Sequence, residues 1–195
     1  RFAGRDIAAL EPHERAVLGL ARSFQITSIF PSFSVFENVA LAAQARCGHS
    51  YRFWSAADRD EPVNALAWAA LREAGLAERA ATVAADMSHG EHRQLEIAMA
   101  LAAQPKLLLM DEPTSGMGPN ESQELVALLR RIRAHHTILL VEHDMDVVFS
   151  LADRITVLDN GRSIASGRPE EIRENPQVLS AYLGKDGARP GARDA

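Results

Sequence analysis

Apolar residues recur at helical spacing through Val63, Leu66, Ala67, Ala70 and Leu71, after Asp60-Glu61-Pro62 and before Gly75. Acids and proline open helices and glycine closes them, so this stretch predicts one helix. Ser88 followed by Glu91 is a capping-box pattern, and the helix it starts should run to about Ala103 and stop before Pro105. Pro12 suits a first helical turn, and a short helix is predicted from there to Leu20. Two apolar runs are too short for helices: Leu107-Leu108-Leu109-Met110 and Thr137-Ile138-Leu139-Leu140-Val141. Both read as strands buried on both faces. Between them Leu125, Leu128, Leu129 and Ile132 mark one side of a helix, and a further helix at 145–151 leads to a strand at 155–158. Asp159-Asn160-Gly161 is a tight-turn signal, so residues 162–165 should return antiparallel. Short helices should begin near Pro169 and near Pro176, the second reaching Leu183.

Strand and helix alternating in this way imply an α/β fold with a parallel sheet and right-handed crossovers. The chain divides into an irregular polar and aromatic segment over 1–39, an Ala- and Leu-rich helical lobe over 40–86, an α/β region over 87–168, closing helices over 169–184, and a tail over 185–195. The tail is rich in Gly, Pro, Arg and Asp and is predicted to be disordered. No internal repeat is visible.

The 195 residues are 47% hydrophobic but only 6% aromatic, so the core must be aliphatic. A net charge of -5 and a pI near 5.8 argue against a dedicated nucleic-acid binder. The single cysteine, Cys47, excludes an internal disulfide and a cysteine metal site, and reads as a small buried or half-buried apolar residue. No run approaches the roughly 18 apolar residues of a spanning helix, and no signal peptide opens the chain. The chain starts at Arg1 and its first residues read like a domain interior, so the sequence is expected to begin partway into a natural protein.

Four constellations carry chemistry. Asp111-Glu112-Pro113 follows the first apolar run, at the carboxyl end of a strand, where ligands of open parallel sheets sit. One acid can hold Mg²⁺, and the next can orient and deprotonate water; the alternative is a pair of solvated acids. Met87-Ser88-His89-Gly90-Glu91 sets a hydroxyl, a glycine and N–H groups at a helix N-terminus, a phosphate-binding design whose alternative is an ordinary N-cap. His143 ends the second strand and can polarise a γ-phosphate or be structural. Gln25 can coordinate a metal or a water through its carbonyl, or be a loop amide. Other features read as plain surface: His89-Gly90-Glu91-His92 lacks the zinc spacing H-E-x-x-H, His135-His136 reads as a solvated turn, and Arg130, Arg131 and Arg133 as a solvated helix face.

In order and spacing, Phe24-Gln25, the run 87–91, the run 107–112 and His143 resemble the Q-loop, signature motif, Walker B motif and switch histidine of ATP-binding-cassette (ABC) ATPases. Gly4-Arg5-Asp6-Ile7, Gly19-Leu20-Ala21-Arg22-Ser23-Phe24-Gln25, Gln94-Leu95-Glu96-Ile97-Ala98 and the segments at 167–172 and 182–184 resemble the branched-chain amino-acid importer ATPases within that family. The resemblance implies a P-loop NTPase-type (RecA-like) parallel sheet core with an inserted helical subdomain, in which 1–39 and 87–168 are core and 40–86 the insert. It implies ATP and Mg²⁺ as ligands. Asp111 and Gln25 would lie near the metal, Glu112 would be the catalytic base, and His143 would contact the γ-phosphate. Ser88 and Gly90 would touch ATP held by a second ATPase subunit. Further implied partners are integral-membrane permeases and, indirectly, an extracytoplasmic substrate-binding protein, with the motor at the cytoplasmic face of the membrane. The loop around Phe33, Val35 and Phe36 would dock on the permease. Uptake of urea or amides, and a non-catalytic cassette fragment acting as a binding module, are the alternatives. A DNA-maintenance ATPase would carry a long heptad insertion, which 40–85 lacks.

The chain departs from the family pattern in places. Met87, His89 and Glu91 replace the usual Leu, Gly and Gln of the signature, and the run 115–119 lacks the usual D-loop Asp. No G-x-x-x-x-G-K-[ST] occurs, and the resemblance places that P-loop before Arg1. Without its lysine and N–H cradle these residues alone are expected to bind ATP poorly and hydrolyse it negligibly.

Overall fold

The computed structural model describes residues 1–22, 29–47 and 61–183. They fall into two compact units, Arg1–Glu142 and His143–Ala195.

The first unit is built on a parallel sheet in the order β1-β2-β3, formed by Leu20–Arg22 (β1), Leu107–Asp111 (β2) and Thr137–Val141 (β3). Leu20 pairs with Leu107, and Asp111 with Val141. Strand β1 corrects the expectation that the first helix reaches Leu20: α1 (Pro12–Val17) stops three residues earlier. Gly19 turns the chain with φ +102°, and its carbonyl accepts the N–H groups of Lys106 and Leu107 at 2.8 and 3.1 Å. A Cβ at Gly19 would lie 3.0 Å from Lys106 Cγ, so glycine is required for this approach.

The central strand β2 buries Leu108 and Met110 fully. β3 does not fit the prediction of burial on both faces, since Leu139 and Val141 are 56% and 55% exposed. Successive strand residues point to opposite faces, and on β3 only the face of Ile138 and Leu140 is packed among the described residues.

Three helices pack on one another beside the sheet: α2 (Val35–Cys47), α3 (Glu61–Ala74) and α4 (His89–Ala102). Their contact surfaces are rich in buried alanine (Ala43, Ala67, Ala70, Ala98), which lets the backbones approach closely. Cys47 is half-buried at the end of α2. This helix starts at Val35, ahead of the boundary expected at residue 40, because Ser34 and Glu37 form a capping box. The Ser34 hydroxyl accepts the Glu37 N–H at 3.1 Å, and the Glu37 carboxylate accepts the Ser34 N–H at 2.6 Å. Val35 is thereby wholly buried and is not part of any docking surface, whereas Phe30 and Phe33 stack on each other and stay exposed. The buried Asn38 side chain ties this loop down through three hydrogen bonds to Phe30 and Ser34. Helix α5 (Pro119–Ile132) buries Leu125, Leu128, Leu129 and Ile132, as the pattern predicts. His136 is not a solvated turn residue: its ring meets Glu73 of α3 at 3.0 Å.

The second unit holds α6 (Met145–Leu151), β4 (Ile155–Asp159), β5 (Arg162–Gly167), α7 (Pro169–Arg173) and α8 (Pro176–Leu183). Asn160 and Gly161 both take positive φ, the conformation a two-residue hairpin turn needs. The sequence reading carried the parallel sheet on through 155–158. Among the described residues β4 does not join the β1-β2-β3 ladder; it pairs with β5, antiparallel, as the turn at Asn160-Gly161 predicts. The alternation explains it: Ile155 and Val157 are buried while Thr156 and Leu158 are exposed, the mark of a strand packed on one side. Ile155, Val157, Ile172 and Val178 form this unit's core, with the Arg173 guanidinium 4.4 Å above the Phe149 ring. The tail expected to be disordered lies outside the described residues.

Candidate functional site

The site begins where β2 ends. Asp111 is half-buried, and its carboxylate meets the Arg22 guanidinium from β1 at 3.4 Å. Glu112 then takes φ +43°. A long side chain rarely adopts this left-handed conformation, and such strain concentrates at functional positions. The Glu112 N–H donates to the Val141 carbonyl at 2.8 Å, extending the ladder by one residue, and its carbonyl accepts the Ser115 N–H at 3.1 Å. Pro113 is buried. Thr114 is held by Glu142, whose carboxylate accepts both the Thr114 hydroxyl and its N–H.

Helix α4 approaches from the other side. Its N-cap Ser88 accepts the Glu91 N–H through its hydroxyl oxygen at 3.2 Å, which leaves the hydroxyl proton able to donate outward. The Glu91 carboxylate accepts the Ser88 N–H at 2.9 Å and meets Arg79 Nε at 3.0 Å. The Ser88 N–H is the main reason that the Glu91 carboxyl is held below its ordinary value of 4.5; burial opposes this and Arg79 reinforces it. A Cβ at Gly90 would lie 3.3 Å from the Glu121 carboxylate at the start of α5. His92 anchors the helix through a ring nitrogen 2.7 Å from the Ala84 carbonyl.

Between the start of α4 and the turn after β2 lies a cavity of about 420 Å³, lined in part by His89, His92, Arg93, Glu112, Ser115 and Met117. Glu112 is thus brought beside His89, while Ser88 and Gly90 do not line this space. His143 belongs to the second unit, exposed, directly before Asp144, which caps α6 by accepting the N–H groups of Asp146 and Val147. Gln25 lies outside the described residues. Among the described residues no three His, Cys, Asp or Glu side chains gather as a metal site. Asp111 alone still suits Mg²⁺, which favours one or two carboxylates and keeps several waters.

The sequence reading gave no role to Arg93 or to Glu142. Arg93 is 11% exposed and its guanidinium meets the backbone carbonyls of Asp111, Glu112 and Pro113. The signal available for it was a charged pair at i,i+3, Arg93 and Glu96, close to the buried Leu95 and Ile97. Glu142 carries the same signal as Asp111, a place directly after an apolar strand, but the sequence reading gives that place to His143 instead.

The architecture is that of an ATP-binding cassette, with a parallel sheet, a helical group and acids at a strand's carboxyl end. The ABC transporter family profile matches residues 1–115, and that of the branched-chain amino acid ATP-binding cassette transporters matches 162–188. BraF of Pseudomonas aeruginosa, a high-affinity branched-chain amino acid transport ATP-binding protein, is 37% identical over 95% of this chain and 75% of its own length. LivG of Salmonella typhimurium, described in the same terms, is 40% identical over 93% of this chain and 74% of its own. The solved ADP conformation of MJ1267, an ATP-binding cassette of an ABC transporter, superposes with a TM-score of 0.76 at 28% identity, covering 92% of this chain and 74% of that one. The chain belongs to the ABC transporter ATP-binding family, whose P-loop NTPase-type fold it shares. Its class is that of ATPases coupled to transport. No helix among the described residues is long and apolar enough to cross a membrane.

Proposed function

We propose that this protein is the ATP-hydrolysing subunit of an importer for branched-chain or closely related amino acids, and that Glu112 is its catalytic base. The observation that carries the assignment is the left-handed Glu112, immediately after the half-buried Asp111 and lining the cavity beside the start of α4. Strain of that kind persists where surrounding structure enforces it, and here a ladder bond, a tight turn and Arg93 do so.

Glu112 orients the attacking water and takes its proton. Bound Mg²⁺ would neutralise phosphate charge, and Asp111 is the described residue to hold it, directly or through water, with the exposed Arg22 moving aside. Gln25 would report on metal and water, and His143 would donate to the γ-phosphate. Ser88, through its outward hydroxyl proton, and Gly90 would meet ATP bound by a second subunit, which accords with their lying off the Glu112 cavity. The working unit is then a pair of ATPase subunits on two permease subunits at the cytoplasmic face of the membrane, with the exposed Phe30 and Phe33 as the permease contact. A P-loop must complete each site, and none occurs in these 195 residues, so they hydrolyse ATP negligibly alone.

The test is reconstitution of the full-length protein with its permeases and binding protein in liposomes. ATP should drive accumulation of labelled leucine, isoleucine or valine, and leucine-loaded binding protein should stimulate ATP turnover. Uptake that is equal with and without ATP, or turnover that responds to urea and ignores leucine, would contradict the assignment.

A further inference from the structure

Arg93 and Glu96 form an ion pair of 2.7 Å on α4, with both side chains about nine-tenths buried at 11% and 9% exposure. A charge so far removed from water is costly unless nearly all its donors are used. Arg93 also reaches main chain: Nε donates to the Pro113 carbonyl at 3.2 Å, and one terminal nitrogen lies 3.5 Å from the carbonyls of both Asp111 and Glu112. Three consecutive carbonyls cannot face one group in an extended strand, where they alternate. They converge here because Glu112 is left-handed. The buried cation and the strained residue therefore support each other.

We infer that Arg93, fixed in place by Glu96, is a positioning residue for hydrolysis. Its guanidinium gathers the 111–113 carbonyls, keeps the backbone curled at Glu112, and so holds that carboxylate at the cavity. Because Arg93 sits one turn after Ser88 and Gly90, it also ties the carboxylate of one nucleotide site to the helix start that serves the other. The inference rests on the assignment of Glu112 as the base.

The test compares Arg93→Met, Arg93→Lys and Glu96→Gln. In steady-state ATPase assays of the full-length protein, Arg93→Met should lower kcat by about tenfold or more while KM for ATP stays within about threefold, the signature of a misplaced catalytic group. Glu96→Gln should give a smaller loss of the same kind, and Arg93→Lys, which keeps the charge, should recover part of it. Amide exchange in the nucleotide-free full-length protein reads the geometry without catalysis: Ser115 should exchange faster in Arg93→Met, while the amides of α4 keep their protection. A kcat within twofold of the original in Arg93→Met would overturn the inference, and so would loss of protection throughout α4 in Arg93→Lys and Glu96→Gln. Glu112→Gln separates the two ideas, because a Glu112→Gln protein with undiminished turnover removes the base assignment itself, whatever the Arg93 variants do.

Discussion

Asn38 is the wholly buried polar residue that holds the Phe30–Phe33 loop against α2, and its removal has a calculable cost. Its Oδ1 accepts the Phe30 N–H at 2.8 Å, and its Nδ2 donates to the Phe30 and Ser34 carbonyls at 3.1 and 3.0 Å. Asn38→Ala deletes all three bonds. At about 1 kcal/mol each, the gross loss is about 3 kcal/mol. Phe30 is 47% exposed, so water replaces part of what it loses, while Ser34 keeps its bond from the Asn38 backbone N–H. The net expectation is about 2 kcal/mol. With a denaturant slope of about 2 kcal/mol per M, the urea midpoint of the first unit should fall by about 1 M. Trp68 packs 5.1 Å from Phe36 of the same helix group and reports the transition by fluorescence, with Trp54→Phe removing the other signal. A midpoint shift under about 0.2 M would mean that the loop is held by something other than Asn38.

Glu112→Gly should raise the stability of the chain by about 1 kcal/mol in urea titration, since glycine takes φ +43° without strain, while ending ATP turnover. Ser88→Ala should cost about 1 kcal/mol through loss of the α4 cap, measured the same way. Glu91 is held below 4.5, so its ionised form contributes stability that is present above that pH and is lost as pH falls through the depressed folded-state value. The stability difference between the original chain and Glu91→Gln should therefore be constant near neutrality and shrink below pH 4.5 in acid titrations.

What the sequence disclosed and what it hid divide along physical lines. Local signals were legible: the Ser88/Glu91 capping box, the Leu125/Leu128/Leu129/Ile132 stripe and the Asn160-Gly161 turn all form as read. Long-range pairing was not. Strand β1 is three residues that form by pairing with β2, far along the chain, where Gly19 docks on Lys106 and Leu107. β4 pairs with β5 across that turn as read, but among the described residues it does not join the parallel sheet, and the one-sided alternation of Ile155 and Val157 is the signal for that. At the site the chemical residues Asp111 and Glu112 stood out by their place after an apolar strand. Their supports did not, because the Arg93 clamp acts on backbone carbonyls, which carry no side-chain signature, and Glu142 reveals its role only through contact with Thr114.

The role of Glu112 is tested most directly by replacing its carboxylate with an amide of the same shape. In the full-length protein Glu112→Gln should bind ATP within a few-fold of the original affinity, yet hydrolyse it about 10²-fold or more slowly, the usual contribution of a positioned base. A single-turnover rate close to that of the original protein, with ATP bound equally well, would contradict the account.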